Sequence, residues 1–180
     1  TARVTFVGPP AGVMRRMGSK SGAREAIAKA GVPVVPGAIP RAQTSEAIAA
    51  AVRDVGFPAL IKAAAGGGGK GMRVVRTQAE VADAVNSARR EAERAFANGA
   101  LYVERLIERP RHIEVQILAD THGNVVHCFE RECSLQRRHQ KVVEIAPAIK
   151  LDPRLRDAIC RTAVEIGRAV NYSSAGTVEF

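Results

Sequence analysis

Four consecutive glycines, 66 to 69, followed by Lys70-Gly71, separate two strand-like runs, Ala59-Leu60-Ile61-Lys62-Ala63-Ala64 and Met72-Arg73-Val74-Val75-Arg76. Glycine reaches φ > 0 at no steric cost, and a run of glycines bares its amide N–H groups to an anion. The run is not a Walker A loop, because Met72 stands where Lys-Ser or Lys-Thr would have to follow. Gly66, Gly68 and Gly71 satisfy G-x-G-x-x-G in form, but a dinucleotide fingerprint needs a helix to begin there, and Met72-Arg73-Val74-Val75 is strand-like. A strand–glycine loop–strand hairpin is instead a flap that can fold over a triphosphate, as kinase glycine loops do. The alternative is a flexible surface hairpin. Lys62 lies on the strand entering the loop, between Ile61 and Ala63, where an ammonium costs desolvation unless it meets an anion or a carboxylate.

Around this hairpin the sequence predicts a small α+β unit over 34–106. A helix opens at Thr44-Ser45-Glu46 and ends near Val55, with Gly56 and Pro58 beyond it. After the two strands, Thr77 and Glu80 form a capping-box pattern before a long polar helix to about Ala97. Leu101-Tyr102-Val103-Glu104-Arg105 is the next strand. Upstream, Thr5-Phe6-Val7 reads as a strand, residues 11–17 and 21–29 as short helices, and Pro36-Gly37 with Pro40 as a connector.

Beyond 106 the period changes to two. Ile113, Val115 and Ile117 share one face, and His112, Glu114 and Gln116 the other. Asp120-Thr121-His122-Gly123 is a turn, and residues 124–130 return as a hairpin partner. Residues 131–141 are polar and basic, and within them 136–141 shows no helical or strand period. Asp152-Pro153 starts a helix, Asp as cap and Pro at its first position, running to about Val170; Thr177–Phe180 closes as a strand. This half is an antiparallel sheet backed by a helix, left incomplete.

The formal charge of +9, from 27 basic and 18 acidic residues, attracts any anion and so does not choose among nucleic acid, lipid and nucleotide. The densest basic cluster, Arg131 to Lys141, holds no aromatic residue on which a base could stack, which leaves a nucleic-acid module resting on charge alone. No apolar run approaches the ~18–20 residues of a membrane helix. Cys128, Cys133 and Cys160 show no C-x-x-C spacing and read as reduced thiols of a cytoplasmic protein rather than a disulfide framework or a zinc site. No signal peptide is visible at the start. The chain begins without Met and both ends look like strands, so a fragment of a longer protein is expected.

Three further groups can carry chemistry. Glu104-Arg105-Leu106-Ile107, between the two units, can read the edge of an adenine with its backbone or serve as a plain linker. Gln136-Arg137-Arg138-His139-Gln140-Lys141 is either a solvated basic loop or a polyanion site with Lys141 as its point charge. Glu179, between Val178 and Phe180, suits a metal ligand or a paired charge.

Together these segments resemble the biotin carboxylase component of biotin-dependent carboxylases, over essentially the whole chain. The most specific pieces are Met17-Gly18-Ser19-Lys20, Lys62 with 66–72, Pro110-Arg111-His112-Ile113-Glu114-Val115-Gln116, the run Glu130-Arg131-Glu132-Cys133-Ser134-Leu135-Gln136-Arg137-Arg138-His139-Gln140-Lys141-Val142-Val143-Glu144, and Ala175-Gly176-Thr177-Val178-Glu179-Phe180. The resemblance implies an ATP-grasp fold of the α+β class: 1–33 as the tail of a Rossmann-like domain with connecting helices, 34–106 as the small lid domain, and 107–180 as the first part of the antiparallel-sheet domain, with the nucleotide between the last two. It implies ATP, with Mg2+ or Mn2+, phosphorylating bicarbonate to carboxyphosphate, whose CO2 passes to biotin on a carrier domain. A carboxyltransferase domain or subunit and a homo-oligomeric parent are implied as partners, with neither nucleic acid nor membrane.

By the same resemblance Lys20 and Lys62 contact phosphates and Gly68 and Gly69 are flap amides. Glu104, Arg105, Leu106 and Ile107 hold adenine, and His112, Gln136 and His139 touch the nucleotide. Lys141 is the cation on the bicarbonate side and Glu179 a metal carboxylate. Ala65, Arg105 and Ile145 depart from common family residues; Val143–Ala148 leans toward pyruvate carboxylases and Tyr172–Gly176 toward propionyl-CoA carboxylase, leaving the acceptor open. The second metal carboxylate and the catalytic Glu and Arg of the family lie beyond residue 180, so weak or no turnover is expected of this piece alone. Another ATP-grasp ligase, of the carbamoyl-phosphate or purine-pathway kind, would share the flap, the lysines and Glu179 but lack the 136–141 run.

Overall fold

The computed structural model describes residues 4, 6–18, 20–65 and 69–180, with Lys20, Ser21 and Glu25 described by their backbone alone. The chain divides into two compact units: Val34–Arg109, and Pro110–Phe180 together with most of the N-terminal helical segment.

In the first unit a four-stranded antiparallel sheet has the order β1-β4-β2-β3 (β1 Gly37–Ala38, β2 Ala59–Ala63, β3 Arg73–Val75, β4 Leu101–Arg105). Along β2, Ala59, Ile61 and Ala63 are buried and Leu60 and Lys62 half-buried, the alternation a one-sided sheet demands. Two helices cover the buried side, α3 (Ser45–Val55) and α4 (Val81–Phe96). Helix α4 buries Val81, Val85, Ala88 and Ala92, an apolar stripe at helical spacing, and Ile48, Val52, Ile61 and Leu101 are wholly inaccessible in the same core. At the exit of the glycine loop, Gly71 has φ 69°, and a Cβ there would lie 3.1 Å from the Ala63 Cβ, so both conformation and space favour glycine.

Local signals mostly act as their chemistry dictates. Thr44 caps α3, accepting from the Ala47 amide at 3.2 Å. The Thr77–Glu80 pair differs from a capping box. A 3-10 turn, Gln78–Glu80, precedes α4; the Glu80 carboxylate accepts from the Arg76 amide at 2.8 Å, and the Thr77 hydroxyl donates to that carboxylate at 3.1 Å. The tighter turn moves the reach-back one residue upstream. Gly37 and Ala38, expected in a connector, pair with Glu104 and Val103 of β4. Phe6 and Val7, expected in a strand, are exposed and lie in none, consistent with an extended segment gaining little without a paired neighbour. Thr5 lies outside the described residues.

In the second unit the sheet order is β7-β6-β5-β8, all antiparallel (β5 Ile113–Ala119, β6 Val125–Arg137, β7 Gln140–Ile145, β8 Ser174–Glu179). Helix α5 (Pro153–Ala169) packs on one face, and Asp152 caps it by accepting from the Arg154 and Leu155 amides at 2.9 and 3.2 Å. Val115, Ile117, Val125, Cys160 and Ala163 form the core between them. Gly167 lets the helix approach: a Cβ there would come within 2.9 Å of Val125 Cγ1. Helices α1 (Ala11–Gly18) and α2 (Lys20–Lys29) precede the first unit in the chain, but α1 and most of α2 belong to the second.

The basic stretch 131–141 is no loop. It is the end of β6 and the start of β7, joined at Arg138–His139, both at positive φ (51° and 66°). Register shifts on either side of Leu135 break the two-residue alternation, and residues 134–141 are all exposed, so no burial period marks the strands there. The last strand also begins earlier than expected, at Ser174.

Candidate functional site

Strand alternation aims Lys62 away from the core of the first unit, where its Nζ lies 2.5 Å from Glu104 Oε2 across the β2–β4 pairing and 5.7 Å from the centre of the Tyr102 ring. Both side chains of this ion pair are largely covered, so the lysine found the carboxylate that its apolar strand required. Gly69 has φ 77°, an αL-side conformation natural to glycine. Gly68 and the Lys20 side chain lie outside the described residues; the Lys20 backbone opens α2. In the 104–107 segment, the Arg105 amide donates to the Pro36 carbonyl at 2.8 Å and the Leu106 amide to the Pro58 carbonyl at 3.0 Å. Those two donors are committed within the protein, so an adenine edge would be read there by carbonyls or by the Ile107 amide, whose side chain is half exposed.

The second unit builds a denser cluster on the sheet face away from α5. Glu114, on β5, is only 1% exposed. Its Oε2 receives the Arg131 guanidinium (Nη2, 2.8 Å), and its Oε1 receives the Lys141 ammonium and lies 3.0 Å from His112 Nε2. Lys141 also bonds Glu179 Oε1 at 3.1 Å, and His112 Nε2 is 3.6 Å from that same oxygen. Four residues from three strands and the segment entering β5 thus converge on one buried carboxylate. Burial of an unpaired carboxylate costs several kcal/mol (about 5 or more in effect), and the cations around Glu114 offset it. Of the expected residues, Lys141, His112 and Glu179 meet here. Gln136, opposite Lys141 in the β6–β7 register, instead turns its amide to the Cys133 carbonyl at 3.0 Å, and His139 sits exposed at the hairpin turn.

Two functional-looking residues were missed in the sequence, Glu114 and Arg131. Arg131 also donates to Gln116 Oε1 and Thr177 Oγ1, each at 3.2 Å, and its Nε is 3.5 Å from Glu144. The available signal was that Glu114 shares its strand face with His112. Beside them, Glu130 points to the α5 side, where Oε1 accepts from the Ala148 amide (3.0 Å) and Arg156 Nε (2.9 Å), tying sheet, loop and helix together. Nearby, two bonds from Arg111 and one from Ser134 hold the Glu132 carboxyl below the ordinary glutamate range. An apolar cavity of about 350 Å³ in the same unit is lined by Val13, Met17, Ile117, Ile166 and Val170 among others, with no acid, histidine or lysine among the described residues on its walls.

His112, Glu114 and Glu179 offer three ligand atoms within 4.8 Å of one another. Two carboxylate oxygens and one imidazole, with Glu179 reachable from solvent, form a donor set that fits a hard divalent cation accompanied by other oxygen ligands.

A family model, the carbamoyl-phosphate synthase L chain, ATP binding domain, matches residues 19–180. The pyruvate carboxylase of Bacillus subtilis (strain 168) is 52% identical over 177 residues, covering 98% of this chain and 15% of that protein. Among solved structures, the biotin carboxylase–β-γ-ATP complex from Campylobacter jejuni superposes with a TM-score of 0.93 at 45% identity, covering 98% of this chain and 40% of that one. The biotin carboxylase domain dimer of Hydrogenobacter thermophilus 2-oxoglutarate carboxylase, in complex with MgADP, ADP and bicarbonate, gives 0.92 at 44% identity, covering 98% and 39%. The chain therefore spans about 15% of the length of the pyruvate carboxylase it matches. With its α+β architecture of antiparallel sheets shared with these structures, the chain belongs to the family of the carbamoyl-phosphate synthase L chain ATP-binding domain, as an ATP-grasp member similar to biotin carboxylases.

Proposed function

We propose that this chain is the nucleotide-binding part of an enzyme that carboxylates carrier-bound biotin, using ATP and bicarbonate by way of carboxyphosphate. The observation that carries the reading is the convergence of Lys141, His112 and Glu179 on buried Glu114: a fixed cation, a ring nitrogen and a carboxylate at one place, in a fold shared with a biotin carboxylase bound to an ATP analogue. Each unit supplies its own set of groups. The first offers Lys62, Gly68, Gly69 and the Glu104–Ile107 segment; Lys62 neutralises phosphate charge, and the glycine amides donate to phosphate oxygens. The second offers His112, Gln136 and His139 toward the nucleotide and Lys141 toward bicarbonate, with Lys20 a further phosphate contact.

Glu179, with Glu114 and His112 beside it, would hold Mg2+ or Mn2+, which would supply positive charge against the phosphates. Chemistry of this kind is mostly positioning and electrostatics, and it requires water to be kept from a labile acyl phosphate. The biotin carrier and a carboxyltransferase are the partners this step needs, and a homo-oligomeric parent is in keeping with the dimer reported for the Hydrogenobacter relative. Three cysteines without disulfides suit a reducing cytoplasmic setting, and no helix among the described residues is long and apolar enough to cross a membrane.

The alternative is a ligase that makes carbamoyl phosphate, as the family model's description would allow. Purified full-length protein supplied with Mg-ATP separates the two. Release of ADP that depends on bicarbonate and rises with free biotin is expected. ATP cleavage that needs ammonia or glutamine and ignores biotin would refute the biotin reading.

A further inference from the structure

The function proposed above gives Lys141 to the anion and Glu179 to the metal. In the structure, however, the Lys141 ammonium bonds Glu114 and Glu179 at once. It sits among the same atoms that would ligate a divalent cation, since Glu114, Glu179 and His112 offer donors within 4.8 Å of one another. An ammonium and a metal ion cannot share those oxygens closely, because two like charges a few ångströms apart in a partly dry site repel strongly.

We propose that Lys141 and the divalent cation are alternative occupants of the Glu114–Glu179 pair, so that cation binding releases Lys141 to hold the anion that is to be activated. This rests on the reading of the site given above. Which partner yields is decided by burial and tethering. Glu114 is 1% exposed and clamped from its other oxygen by Arg131, so it stays. Lys141 stands second in β7, an edge strand, two residues beyond the Arg138–His139 turn, and its side chain is one-third exposed. A flexible four-carbon stem can swing from that position without moving the sheet. Glu179 is more than half exposed and accepts either cation. The bonds to both carboxylates then act as a latch. Before the metal enters, Lys141 is neutralised and unavailable to an anion; afterwards it is an uncompensated cation beside the metal.

Linkage makes the latch measurable, since whatever the metal displaces must weaken its binding. Purified full-length protein without nucleotide is titrated with Mn2+, free ion being read by electron paramagnetic resonance, for wild type, Lys141→Met and Arg138→Met. Lys141→Met is expected to bind Mn2+ about tenfold more tightly, and Arg138→Met, which removes an exposed charge from the same hairpin, to stay within about twofold of wild type. In wild-type protein with 13C-dimethylated lysines, the Lys141 resonance, identified by its loss in Lys141→Arg, which keeps the cation beside Glu114 and Glu179, should shift as Mg2+ is added. This second measurement stands even if Lys141→Met fails to fold. Equal or weaker Mn2+ binding by a folded Lys141→Met, equal tightening by Arg138→Met, or a Lys141 resonance unmoved at saturating Mg2+ would overturn the latch. Binding of Mg-ATP is measured separately with a fluorescent analogue. Its presence alongside a failed latch leaves the nucleotide reading intact, whereas its absence removes that reading itself.

Discussion

Glu114 stands opposite Arg131, with a guanidinium nitrogen 2.8 Å from its carboxylate, because β6 carries one extra residue around Cys128 and Phe129. From Ala119 to Ile117 the strands run in one register, Ala119 with Val125 and Ile117 with His127; from Val115 onward they run in another, Val115 with Glu130 and Glu114 with Arg131. Phe129, at φ 62°, absorbs the irregularity. Without it Glu114 would face Glu130, and Arg131 would point toward α5. One inserted residue turns a repulsive pair of acids into an ion pair.

Removing Arg131 should therefore be costly. Arg131→Met is expected to lower unfolding free energy by about 1–3 kcal/mol, since it half-strands a buried carboxylate, leaving Oε2 without its donor while Lys141 stays on Oε1. Adding Glu114→Gln should return part of that loss, because the stranded charge goes with it. Urea denaturation of the two variants and wild type measures both; a single variant as stable as wild type would show that the pair contributes little.

Lys62→Met should weaken ATP binding by roughly 10- to 100-fold, the range of a lost charge-assisted hydrogen bond. The half-buried Glu104 also loses its bond to Lys62, so the melting temperature should drop modestly. Isothermal titration with a non-hydrolysable analogue reads the first effect and thermal melting the second. An unchanged affinity would remove Lys62 from the nucleotide site.

Acid should loosen the sheet around Glu132. Its carboxyl is held low by bonds from Arg111 and then from Ser134, so the folded state binds that proton later than the unfolded state does. The stability this contributes is present above the ordinary glutamate range and disappears as pH falls through the lowered folded value. Wild type should accordingly exceed Glu132→Gln in stability at neutral pH, and the difference should vanish in strong acid. Denaturation across a pH series tests this, and a difference that grew on acidification would contradict the assignment.

Thiol reactivity should split the three cysteines into two groups. Burial, reinforced by the charge of Glu144, pushes the Cys133 thiol up, and burial with Glu130 nearby does the same to Cys160. Cys128 is exposed. Brief alkylation of the native protein, read by peptide mass spectrometry, is expected to mark Cys128, with Cys133 and Cys160 following only in denaturant. Prompt labelling of Cys133 would mean that the strand β6 opens readily.

Much of the architecture was written in local chemistry. The Asp152-Pro153 start of α5, the Thr44 cap, the stripe along α4 and the alternation in β2 and β5 depend on neighbours within one or two turns, and each formed as its residues required. The glycine run, flanked by β2 and β3, likewise showed a strand–loop–strand hairpin. The joined ends of β6 and β7 escaped notice because irregular register erased their period and residues 134–141 are all exposed.

What the sequence by itself determined is the helices, most of the strands and the presence of Lys62, His112, Lys141 and Glu179 as groups fit for phosphate and metal chemistry. Only the tertiary structure decided that three of them gather on Glu114, and that Arg131 rather than Glu130 backs it. The reason is physical: contacts between strands far apart in the chain depend on register, and register is fixed by the summed packing of a sheet against its helix and by a single bulge, neither of which any local run of residues records.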